Sequence, residues 1–141
     1  MRPNVTYSVY LSVVNHEGSS AYYACNVKLR NASDPLPNAT LGEPSSLRTL
    51  YNYKFFAKDE QAWTAPLTFM VSSPQTSGNT MYLENIVVNN ETILVQKSSL
   101  WSEQSQGYYY DFLIELWMYN ASIGISQYND RFVHFYLNVT S

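Results

Sequence analysis

The chain has 141 residues, a net charge of −3, and only 13 % charged residues against 45 % apolar ones. That length suits one core, since two halves would each bury too little surface, and the apolar content excludes intrinsic disorder. Eight scattered Lys and Arg residues leave no cationic footprint for nucleic acid, and no apolar run approaches the ~20 residues of a membrane helix.

Period-two alternation then dominates the chain. Val5, Tyr7, Val9, Leu11 and Val13 alternate with Thr6, Ser8 and Ser12, which predicts a strand with one face to a core and one to water. Asn15-His16-Glu17-Gly18 supplies turn chemistry, and residues 21–29 repeat the alternation, so the two runs read as a hairpin. Residues 31–46 hold three prolines and read as a loop. Strands are predicted over 47–57 and 63–72, joined by the polar turn 58–61, and 73–79 reads as a second loop. Residues 81–88 and 92–96 flank Asn89-Asn90-Glu91, a hairpin tip. Residues 108–119 form the longest predicted strand, and 131–140 close the domain.

About seven to eight short strands, with no helical periodicity, predict a single all-β domain over 1–141. The expected architecture is an immunoglobulin-like antiparallel β-sandwich. Cys25 is the only cysteine, which excludes an internal disulfide, and its place in an alternating run makes it a small buried apolar residue.

Six positions match Asn-X-Ser/Thr: Asn4, Asn31, Asn38, Asn90, Asn120 and Asn138. Given the thirteen asparagines, chance supplies roughly two or three. All six fall at chain ends, loops, strand ends or the polar register of the last strand, where a glycan has room. The expectation is an extracytoplasmic surface glycoprotein. A surface with few charges also changes little as pH falls.

No enzyme is expected. His16 sits in a turn and His134 on the polar face of the last strand, with no metal-ligand spacing, phosphate loop or nucleophile elbow, and no cofactor is called for. Asp111 and Glu115 share one face of the 108–119 strand, and four strand residues place them ~13 Å apart. Glycosidase pairs need about 5–5.5 or 6.5–9.5 Å, so the two acids read as solvated, or as edging a groove. Use of either by a glycan-active enzyme is the outlying alternative. Trp101, Tyr108, Tyr109 and Tyr110 are the candidate binding residues, because exposed Trp and Tyr stack on sugars and anchor interfaces. Trp63 is assigned to the core. The expected partner is a surface protein or a glycan, and strand addition into a homo-oligomer is the second expectation.

Val13-Val14-Asn15-His16-Glu17-Gly18, with the Tyr-containing strand after it, resembles an archaeal membrane-protein family known as domain of unknown function sixteen-sixteen. Asp59-Glu60-Gln61-Ala62-Trp63-Thr64-Ala65-Pro66-Leu67-Thr68-Phe69 and Phe135-Tyr136-Leu137-Asn138-Val139-Thr140 extend the resemblance in the right order across most of the chain. Stretches 36–46 and 74–106 are longer than that family's usual core. The resemblance implies an extracytoplasmic β-sandwich, anchored by membrane segments outside this chain, and carries no site residues.

Overall fold

The computed structural model describes residues 1–140. Those residues form nine antiparallel strands and no helix: β1 (Tyr7–Val14), β2 (Ala21–Arg30), β3 (Tyr51–Ala57), β4 (Ala62–Val71), β5 (Gln75–Ser77), β6 (Thr80–Val88), β7 (Glu91–Ser102), β8 (Gly107–Asn120) and β9 (Ile125–Val139). The all-β expectation holds, with one strand more than expected. One sheet runs β1-β4-β6-β7, with β5 continuing the line of β4 along β6; the other runs β3-β2-β8-β9. The end of β7 crosses between them and pairs Trp101 with Tyr108.

The two sheets fold onto each other as a sandwich. Phe69 on β4 packs against Phe112 (ring centroids 5.1 Å apart) and Phe135 (5.9 Å) of the other sheet. Trp63 lies flat on Phe55 at 3.9 Å, against the core as expected. Alternation explains the layers: Val27, Leu67, Phe69, Val71, Phe112 and Leu137 point inward and are buried, while their neighbours point out. The β3-β2-β8-β9 order corresponds to four of the five strands (C′, C, F and G) in the larger sheet of an immunoglobulin variable-type sandwich. In the facing sheet β4, β6 and β7 follow one another as a meander.

The hairpin expected of the first two runs does not form, because β1 pairs with β4 while β2 pairs with β3 and β8 in the facing layer; three further segments depart from the periodicity-based boundaries. β5 forms inside the expected loop 73–79, because a bend lets 75–77 pair with 80–82. β7 runs on from Gln96 to Ser102 despite its polar composition, since it lies between β6 and the end of β8. β9 begins at Ile125 because β8 is long enough to pair with it; the register shifts between Leu116 and Trp117, leaving Asn129 and Asp130 outside the ladder.

Candidate functional site

The turn of β7 into β8 places Trp101 and Tyr109 beside one shallow groove of about 560 Å³. The 31–33 segment closes one side, because Asn31 donates its side-chain N–H to the Ser98 carbonyl at 2.8 Å. Its amide oxygen accepts from Ser33 and Asp34, which locks the bend at the end of β2. Ser33, Thr80 and Ser98 add hydroxyls to the lining, and no charged side chain reaches it. Trp101 packs edge-on against Tyr108 (5.2 Å, 73°), which fixes the indole.

Below the groove lie the acids singled out in the sequence, and neither is solvated. Asp111 and Glu115 are fully buried on the outer face of β8, and neither lines the groove. Arg30 on β2 pairs with Asp111 at 2.5 Å, and the same nitrogen reaches the Tyr109 hydroxyl at 3.0 Å. His134 Nδ1 lies 3.1 and 3.2 Å from the two Asp111 oxygens. Glu115 meets Lys28 Nζ at 2.8 Å, accepts the Ser45 N–H at 2.6 Å and the Trp117 indole N–H at 3.3 Å. The expectation that these acids face water or edge a groove is therefore corrected. The β2–β3 connection folds over the outer face of the sheet and seals them, with its Ser45 carbonyl also taking the Lys28 ammonium at 2.7 Å.

Burial, with the Asp111 charge adding to it and Arg30 opposing it, raises the Tyr109 phenol above its ordinary pKa. Burial raises Asp34 most, but its hydrogen bond to Lys97 at 2.5 Å, the Asn31 N–H and the Lys97 and Arg30 charges together outweigh that and leave the carboxyl below its usual range. This pair ties the connection to β7.

Of the four predicted binding residues, the fold brings only two to the groove. Tyr110 is fully buried and its hydroxyl lies 3.0 Å from both the Met81 and Lys97 carbonyls, so it serves as a core strut between the sheets. Tyr108 is 6 % exposed and belongs to the core cluster. Consecutive tyrosines alternate faces, so only Tyr109 points outward. The groove hydroxyls carry no sequence signal, because the 31–33 bend and β7 meet only through the fold.

The Asn-X-Ser/Thr sites also divide. Asn4, Asn38 and Asn90 are exposed, whereas Asn31 and Asn120 are half-buried and hydrogen-bonded. Asn138 is not open as its polar register suggested. It packs on Gly107, donates to the Ser105 carbonyl at 2.8 Å, and keeps its side-chain oxygen buried. The 103–107 turn folds over it.

No family model, curated protein or solved structure matches this chain.

Proposed function

We propose that the chain is a non-catalytic, extracytoplasmic surface domain that binds a neutral glycan in the Trp101–Tyr109 groove. The observation that carries this reading is the lining: serine and threonine residues beside Trp101, Tyr109, Ala32 and Leu100, with no charged residue. Sugars present hydroxyls at their edges and C–H faces to rings, and this lining complements both. The absence of catalysis is supported by the state of the acids, since both are sealed and held by cations. The surface location rests on the excess of Asn-X-Ser/Thr sites and on the family resemblance, which implies an anchor outside this chain.

Titration with mannose, N-acetylglucosamine and their short oligomers, followed by tryptophan fluorescence, tests the groove. The expected result is saturable quenching with a dissociation constant of about 1 mM, absent in Trp101→Ala. No response to any of these sugars, with the protein folded, would remove the glycan reading.

A further inference from the structure

Aromatic rings continue past the groove at Tyr109. The Tyr109 ring lies 5.1 Å from that of Tyr136, tilted by 56°. From Tyr136 the imidazole of His134 is 5.9 Å away and edge-on, and Phe132 follows at 6.2 Å. Alternate residues of a strand share a face, and Tyr136 and Phe132 pair with Asp111 and Glu115 on the outer face of β8. The rings therefore form one track, from Tyr109 onto the outer face of β9, in steps close to the size of a sugar ring. Tyr136 is 65 % exposed. A strand laid against the main-chain edge of β9 would border this track without covering it, because side chains stand roughly perpendicular to a sheet.

His134 gives the track a polar contact that is held in place. Its Nδ1 sits 3.2 and 3.1 Å from the two oxygens of the fully buried Asp111, which Arg30 fixes in turn. A carboxylate only accepts, so Nδ1 carries the proton and Nε2 is left for a ligand. About a third of the His134 side chain is open, 30 %, and neither Nε2 nor the Tyr136 hydroxyl has a hydrogen-bond partner among the described residues. A sugar hydroxyl both donates and accepts, so it fits Nε2 whether the imidazole is neutral or charged. The carboxylates beneath the track are each matched by a cation, Asp111 by Arg30 and Glu115 by Lys28. The face thus presents rings and hydrogen bonds to a neutral ligand, and no free carboxylate, lysine or arginine to an ion.

We propose that the groove is one end of a longer site, and that Tyr136 and His134 hold further units of the same neutral glycan. The ligand class is then a linear oligosaccharide of about three units or more, in place of a single terminal sugar. One unit sits at Trp101 and Tyr109, the next lays its C–H face on the Tyr136 ring, and a hydroxyl of the unit beyond meets His134 Nε2. Asp111 is a positioning residue that sets the imidazole and does not touch the ligand. This inference rests on the glycan reading of the groove and adds the length and direction of the chain that the groove accepts.

The test is calorimetric titration with N-acetylglucosamine, mannose and the linear tetramer of each. At least one tetramer should bind about tenfold or more tighter than its own monomer. Tyr136→Ala, at an exposed position, should leave the melting temperature and the monomer's affinity unchanged and return the tetramer to within about threefold of the monomer. His134→Gln, which keeps a polar group beside Asp111, should do the same. Backbone amide NMR signals of Tyr136 and His134 should shift with the tetramer and stay still with the monomer. A monomer that binds while the tetramer gains nothing, or a gain indifferent to Tyr136→Ala, would overturn the longer site and leave the groove reading standing. Tetramer binding lost in Tyr136→Ala but unchanged in Trp101→Ala would place the sugar on β9 alone and overturn the continuous site. No binding of any of these sugars would overturn both readings.

Discussion

Lys28, Arg30, Asp111 and Glu115 show how far a polar residue can depart from its usual place. Four charged side chains lie buried on the outer face of the β2–β8 ladder, where each is satisfied by an opposite charge and by further hydrogen bonds. Removing one partner strands the other, a loss of about 3–5 kcal/mol for a buried pair. Glu115→Gln should therefore destabilise the fold by that amount in urea unfolding. The double change Lys28→Met with Glu115→Leu should recover most of the loss, because well-packed apolar residues often replace a buried pair without cost. A double variant no better than the single would mean that Glu115 matters mainly for holding Ser45. Cys25 is the simpler case. Burial pushes its thiol up to about 11, so little thiolate forms at neutral pH. It should react with a disulfide reagent only at the rate of unfolding, and fast native-state labelling would contradict its 2 % exposure.

The β6–β7 hairpin shows what a strand pair demands of its turn. Val88 faces Glu91 across the two-residue loop Asn89-Asn90, and both loop residues have positive φ, 48° and 65°. Paired left-handed residues match the twist of the strands, and asparagine tolerates that conformation better than any branched residue. Asn90→Val should cost about 1–2 kcal/mol, measured by urea melts, whereas Asn90→Gly should cost nothing. Asn89 has a second role: its side-chain oxygen accepts the Thr68 N–H at 2.9 Å and its amide donates to the Tyr53 hydroxyl at 2.8 Å. The hairpin tip is thereby tied to β4 and to the facing sheet.

At the scale of the whole molecule, the long β2–β3 connection behaves as part of the sandwich. It is held by Ser45 on Glu115 and by Asp34 on Lys97. Because the Asp34 carboxyl lies below its usual range in the folded chain, its contribution is fully present above the ordinary carboxylate pKa. It is lost as pH falls through the lowered value. Lys97→Met should shrink that acid-limb loss, leaving at most the smaller part that the Asn31 N–H and the Arg30 charge supply; an unchanged acid limb would place the loss elsewhere. The fold also ranks the glycosylation sites. In native material, peptide mapping should find glycans on Asn4, Asn38 and Asn90 and none on Asn31 or Asn138. An occupied Asn138 would require the 103–107 turn to open.

Period-two alternation alone determined the all-β class, most strand positions, the burial of Cys25 and the hairpin tip at Asn89-Asn90, because these depend on local backbone geometry and on which neighbours are apolar. The tertiary structure decided everything that rests on contacts between distant segments. Arg30 and Asp111 stand 81 residues apart, so no window of sequence shows that antiparallel pairing of β2 with β8 sets a cation beside each acid. The same limit applies to Tyr108 and Tyr110, whose alternation is visible but whose inward direction depends on which face meets the second sheet. It applies as well to Asn138, polar in register yet covered by a turn more than thirty residues upstream. Alternation assigns a residue to a side of its strand. Only the packing of strands and loops decides whether that side meets water, a partner charge or an open cleft, because burial is a property of the neighbours and not of the residue.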